Sequence, residues 1–148
     1  MTEFTIRRAV ASDNPEWLRM RQILWPDEIE HLSFREMDAI LADPMMPVFV
    51  AVRLDGRLGG FLEAGTRKYA EGSENSPVAY VEGWFVDVDL REHGVGKALL
   101  RAAEDWAAAN GLNEIGSDTW LDNEISIKVH KKLGFSEVER LVHFLKKF

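Results

Sequence analysis

The stretch Val86-Asp87-Val88-Asp89-Leu90-Arg91-Glu92-His93-Gly94-Val95-Gly96-Lys97-Ala98 holds the most informative chemistry in the chain. An apolar strand runs into a short turn, and a helix begins at the two glycines. The first amides of a helix have no partner within it, and the helix dipole adds positive potential at that end. Such a row of N–H groups is a site for a phosphate or pyrophosphate. Gly94 and Gly96 let a ligand lie against the backbone with no Cβ in between, and Arg91 and Lys97 add positive charge. The spacing Arg-x-x-Gly-x-Gly is not the dinucleotide fingerprint, because the third glycine and an opening βαβ unit are missing. Nor is it a P-loop, because no Gly-Lys-Ser/Thr follows. A helix start that uses glycine for close packing would carry the same residues.

The elements around this turn are readable from pattern. Glu3 to Arg8 reads as a first strand. Ser12-Asp13-Asn14-Pro15-Glu16 is a helix start, with a capping side chain, then proline, then acid. That helix carries Trp17, Leu18, Met20, Arg21 and Leu24, and a second covers Ile29 to Leu41. Val48 to Leu54 is a buried strand, Asp55-Gly56 suits a type I′ turn, and Leu58 to Thr66 returns as the other arm. Arg67 to Pro77 is a polar loop with Tyr69 in it, long enough to face a substrate. Val78 to Val88 is a long strand. Gly94 to Asn110 is a helix with Val95, Leu99, Ala102 or Ala103 and Trp106 at helical spacing, closed by Gly111. Asn113 to Asp118 is a short strand. Asp122 or Asn123 caps a helix carrying Ile125, Val129 and Leu133, and Phe135 to Leu145 is a last strand. The result is a mixed α/β domain around a central sheet, one domain over residues 1–148.

Composition narrows the function. The chain has no cysteine, which excludes disulfides, thiolate nucleophiles and cysteine zinc sites and fits a reducing cytoplasm. No signal peptide is evident, and no run approaches the roughly 20 apolar residues of a membrane span. The net charge of −7 disfavours nucleic acid as a partner and favours a cationic small molecule, although many acidic surfaces serve solubility alone. His31 and His143 lack metal-ligand spacing with any carboxylate pair, so no metal is assigned.

Arg91-x-x-Gly94-x-Gly96 resembles the acetyl-CoA motif of the GNAT superfamily of N-acetyltransferases, where it follows the fourth strand and opens the third helix. Asn123-x-x-Ser126-x-x-x-His130-x-x-Leu133-Gly134-Phe135 resembles a second segment of that family. The segments Leu24-Trp25-Pro26, Ser76 to Gly83, Ser117-Asp118-Thr119 and Val129 to Arg140 are similar to aminoglycoside 6′-N-acetyltransferases. The resemblance implies a mostly antiparallel sheet splayed between its fourth and fifth strands. It also implies acetyl-CoA as co-substrate, an aminoglycoside amine as acceptor and a homodimer.

The same resemblance suggests roles. Direct transfer needs a neutral amine, a polarised thioester carbonyl and a proton for the leaving thiolate. Glu82, in the strand before the turn, becomes the first candidate for binding and deprotonating the amine. Asp118 would face it across the splay, with Glu139 as a weaker third carboxylate and Asp27, Glu28 and Glu30 as further acids. His130 stands where many members have a tyrosine that protonates the thiolate. The cofactor would meet a main-chain N–H around Phe85 or Val86. It would also meet Arg91, His93, Gly94, Val95, Gly96 and Lys97 at the turn, and Asn123 and Ser126 along its arm. Trp25, Tyr69 and Trp84 could wall a sugar ring. A polyamine or a protein amine as acceptor remains open, as does a module that binds acetyl-CoA without turnover.

Overall fold

The computed structural model describes residues 3–28 and 33–148. Five strands stand in the order β1-β2-β3-β4-β5. These are β1 (Phe4–Arg8), β2 (Val48–Arg53), β3 (Leu58–Arg67), β4 (Val78–Val86) and β5 (Ile115–Gly116). The first four pair antiparallel, and β5 joins β4 in parallel. Among the described residues four α-helices flank them: α1 (Asn14–Leu24), α2 (Phe34–Ala42), α3 (Val95–Ala109) and α4 (Glu124–Lys132).

Strand alternation divides the core between two faces. Val48, Val50 and Phe61 join Trp17 and Met20 of α1 and Met37 and Ile40 of α2 on one face. Phe49, Ala51 and Leu62 meet Leu99, Leu100, Ala103 and Trp106 of α3 on the other. On β4 the alternation breaks. Val81 belongs to the α3 face and Phe85 to the α1 face, although four residues apart should share a side. The register explains it: Glu63 pairs with Gly83 but Ala64 with Val81, which leaves Glu82 as an extra residue in a β-bulge.

A buried ionic cluster ties α1 to β3. Arg21 Nε donates to Glu63 Oε1 at 2.7 Å and Nη2 to Oε2 at 3.2 Å, while Trp17 Nε1 donates to Oε1 at 2.9 Å. Arg21 and Glu63 are both buried. Burial pushes the Glu63 carboxyl up from its ordinary value, against the pull of Arg21 and Trp17.

Several expectations are corrected. Among the described residues Phe135 to Leu145 forms no strand. Val138, Leu141, Val142, Phe144 and Leu145 are exposed, because among the described residues this segment pairs with no strand of the sheet. The apolar side of α4 stays open too, with Ile125 and Val129 exposed. The 53–57 turn is not type I′, which needs two positive φ values; only Gly56 has one there, and its N–H donates to Arg53 O at 2.9 Å. The cap at Asp13 points backward, its carboxylate accepting from Arg7 and from Val10 N–H instead of from α1. The second helix begins at Phe34 with Ser33 accepting from Glu36 N–H. Residues 29–32, with Glu30 and His31, lie outside the described part.

Glu63→Leu removes the carboxylate and leaves the Arg21 guanidinium buried without it. The expected loss is about 3–5 kcal/mol of stability, read as a lowered midpoint in chemical denaturation.

Candidate active site

The pairing of β4 with β5 is two residues long, Ala79 with Ile115 and Tyr80 with Gly116. Beyond it, among the described residues, no strand lies against that edge of β4. Asp87 N–H donates to Gly59 O at 2.8 Å. Because N–H direction alternates along a strand, Phe85 also turns its amide to β3, whereas Trp84 and Val86 turn theirs to the free edge. Of the two amides singled out in sequence, Val86 is therefore the one that reaches the gap. Phe85 instead contributes its ring to the core.

The free edge leads to the turn. Gly94 caps α3 with φ of 84°, a conformation that favours glycine. The first helical bond runs from Ala98 N–H to Gly94 O. Among the described residues no hydrogen bond of the protein engages the main-chain N–H groups of Glu92 to Lys97. Arg91 Nε donates to Val86 O at 3.0 Å, so its guanidinium is held where β4 ends. His93 and Lys97 are exposed beside the turn.

The turn itself is firmly seated. Arg19 binds Asp87 through two hydrogen bonds of 3.0 and 2.9 Å, and Arg53 reaches Asp87 at 3.1 Å and Asp89 at 2.8 and 2.9 Å. Leu90 packs on Gly59, where a Cβ would come 2.2 Å from its Cδ1. A cavity of about 540 Å³ adjoins these residues, Phe85 and Arg91.

A second cavity, of about 580 Å³, lies on the α1 face. Trp25, Glu28, Glu36, Glu63, Thr66 and Glu82 line it together with Arg21. The bulge brings Glu82 here. The Trp25 indole lies against Gly83, where a Cβ would stand 2.6 Å from the ring, and Arg21 stacks 5.2 Å from the Trp25 ring centre.

Glu82 and Asp118 are joined through two intermediaries the sequence reading did not single out. Arg67 binds Glu82 with two bonds of 2.9 and 2.8 Å and lies 3.5 Å over the centre of the Tyr80 ring. The Tyr80 hydroxyl donates to Asp118 Oδ2 at 2.7 Å. Burial first, then this bond to Asp118, raises the Tyr80 hydroxyl well above its ordinary range, so it stays protonated. The strand β3 extends to Arg67, one residue past its expected end at Thr66. Its odd-numbered alternation with Phe61 and Glu63 was the available signal.

His130 is gripped on both ring nitrogens. Nδ1 donates to Ser126 O at 2.7 Å, and Nε2 meets Ser117 Oγ at 2.8 Å. Its ring lies edge-on to Trp84 and Phe135, with centroids 5.4 and 5.0 Å apart. Asn123 caps α4 by accepting from Ser126 N–H at 3.1 Å. Tyr69 is exposed on its loop. Glu139 is exposed in the C-terminal segment, and among the described residues no contact joins it to Glu82. No cluster of potential metal ligands occurs among the described residues.

The family model described as "Acetyltransferase (GNAT) family" matches residues 17–135. An "Aminoglycoside N(6')-acetyltransferase type 1" from Stenotrophomonas maltophilia is 39% identical over 95% of this chain and 91% of its own length. One of the same name from Klebsiella aerogenes is 40% identical over 95% of each chain. Among solved structures, an aminoglycoside N-acetyltransferase in complex with CoA superposes with a TM-score of 0.92, at 34% identity, over 100% of this chain and 97% of that one. An aminoglycoside antibiotic 6'-N-acetyltransferase from Acinetobacter baumannii gives 0.90 at 35% identity over 99% of both.

Two glycines separate the two ends of the site. At Gly96 the atoms nearest an added Cβ, on Trp84 and Val86, would lie 3.7 Å away, an ordinary contact, so Gly96→Ala should fold as the wild type and weaken acetyl-CoA binding by about tenfold, or about 1.4 kcal/mol. Gly83→Ala displaces Trp25 and should instead raise the acceptor KM. Calorimetric titration with coenzyme A and steady-state kinetics on each variant check the split.

Proposed function

The chain belongs to the acetyltransferase (GNAT) family, and on that premise we propose that it acetylates the 6′-amino group of an aminoglycoside by direct transfer in a ternary complex. Acetyl-CoA is its co-substrate and supplies the activated acetyl group as a thioester. The observation that carries the reading is the free edge of β4, which runs from the carboxylate of Glu82 at the bulge to the unpaired amides of the turn.

The residues divide the work. The amides of Glu92 to Lys97, with Arg91, His93 and Lys97, suit the pyrophosphate, since both a helix start and nearby cations favour an anion. The turn suits such a group, because among the described residues no hydrogen bond of the protein takes up those amides, and a Cβ at Gly96 would make no contact tighter than 3.7 Å. Val86 N–H faces the gap as the donor that polarises a carbonyl. Asn123 and Ser126, at the start of the helix that carries His130, are read as the contacts of the cofactor's arm. Glu82 and Asp118 receive the acceptor's ammonium and take its proton, directly or through water, against the wall of Trp25 and beneath the loop carrying Tyr69. His130 Nε2 and the Ser117 hydroxyl form the proton-holding pair on the thiol side.

The cleft's acids suit a polycation, and the −7 charge of the chain adds a field that draws one in. A polyamine shares that chemistry and is the second reading. We further read the protein as one catalytic domain working in the cytoplasm. We also read it as a homodimer, because Trp120, Leu121, Ile125, Val129 and the C-terminal apolar residues are all exposed in one chain. Pairing of those segments is also the route by which Glu139 joins a cleft.

Thiol release from acetyl-CoA against kanamycin, spermidine and a lysine peptide tests the acceptor. Kanamycin should turn over with the highest kcat/KM. Glu82→Gln and Asp118→Asn should each lower that turnover by about 10²-fold, the scale of a lost acid–base group, with coenzyme A affinity retained. Wild-type rates in both variants at saturating kanamycin remove the carboxylates from the mechanism. Light scattering should give twice the chain's mass, and Leu145→Asp together with Phe144→Asp should shift it toward the monomer.

A further inference from the structure

Arg67 ends β3 with its guanidinium in the place an acceptor amine must approach. It forms a fork-on-fork pair with Glu82, at 2.9 and 2.8 Å, and is flat on Tyr80, which itself holds Asp118. Neither partner of the ion pair is locked in by burial, the side chains being 41% and 37% exposed. The pair is thus ordered by its own geometry and by the Tyr80 ring, and it remains open to a ligand.

We propose that Arg67 is a positioning residue for the transfer: as the standing counter-ion of Glu82, it keeps that carboxylate from holding the acceptor amine in its ammonium form. The inference rests on Glu82 being the acceptor carboxylate, as argued above. The amine attacks only when neutral. A bare carboxylate beside it favours the charged form and raises the pKa of the bound amine. A carboxylate has about four lone-pair sites, so the two bonds from Arg67 leave two free to accept from the amine. Glu82 therefore keeps its hydrogen-bonding capacity while the guanidinium cancels most of its field.

The surroundings make this cancellation matter. On the cleft side of Glu82, among the described residues, stand Glu63 of β3, Glu36 of α2, and Glu28 and Asp43 on the connecting segments, with the cation Arg21 of α1 among them. Arg21 is engaged by Glu63 at 2.7 Å and lies 3.6 Å from Glu36. On the Tyr80 side stand Asp118 and Glu71. The wall is strongly acidic without Arg67. The guanidinium is itself held more firmly charged than usual, chiefly by its bonds to Glu82, so it is present as a cation at every pH of assay.

The sign follows directly. Removing the cation tightens binding of the polycationic acceptor and delays loss of its proton. Steady-state transfer to kanamycin as a function of pH, on wild type, Arg67→Gln and Arg67→Lys, reads both effects. Arg67→Gln should lower the kanamycin KM several-fold and move the acidic limb of kcat upward by about one pH unit, while the acetyl-CoA KM reports an intact fold. Arg67→Lys should return the limb toward its wild-type position. In a Glu82→Gln background, Arg67→Gln should no longer move it. An unshifted limb, or a raised KM with a uniformly lower kcat, overturns the proposal and leaves Arg67 as a mere support for Glu82. Absence of wild-type turnover on kanamycin is a separate result that overturns the acceptor reading together with it.

Discussion

One edge of β4 carries main-chain groups that the sheet does not use, and the rest of the molecule is arranged around that omission. β5 pairs at Tyr80 and then ends, while β4 continues for six residues toward the phosphate-type turn. An unpaired edge is ordinarily a liability. Here the turn stands at one end of it, and His130, which touches Trp84 and Ser117, stands along it, while no strand among the described residues takes up its donors. The rigidity of the opening comes from elsewhere. Asp87 and Asp89 are pinned by Arg19 of α1 and Arg53 of β2, and Leu90 is seated on Gly59. Those contacts fix where the amides of residues 92–97 point without using any of them.

The bulge at Glu82 is the second half of the arrangement. One added residue reverses which face of the sheet the remainder of β4 serves, sending Val81 to the α3 core and Phe85 to the α1 core. At the point of reversal a carboxylate and a glycine come to the same side. Gly83 then gives room for Trp25, and Arg21, buried with Glu63 beneath α1, supports that indole. The hydrophobic core and the cleft are therefore one structure. The residue that upsets the alternation of the core is the residue that presents the proposed acceptor-binding acid.

Charge is distributed with the same economy. The acids of the chain are not spread as a uniform solubilising coat. Glu28, Glu36, Glu63 and Glu82 face one cavity, and two arginines temper them from within. A cleft of this kind attracts a cation from a distance and still holds local counter-ions where the chemistry needs a neutral amine.

The sequence alone determined the order of elements up to α4 and the turn at Arg91 to Lys97, and it narrowed the cap of α4 to Asp122 or Asn123, of which the structure uses Asn123. Each of these is a local matter of propensity, capping chemistry or motif spacing, and each lies within a short stretch of chain. It did not determine the bulge, because an extra residue in a strand shows only against its partner's register. Nor did it reveal the Arg67–Tyr80 link between Glu82 and Asp118 or the Arg21–Glu63 pair, since those partners are many residues apart. The expected last strand failed for a related reason: Phe135 to Leu145 has the composition of a strand, but a strand exists only where it pairs, and among the described residues this segment joins no edge of the sheet. Tertiary structure decided what depends on pairing and on the meeting of distant side chains, because hydrogen-bond partners and electrostatic neighbours are properties of space and not of sequence order.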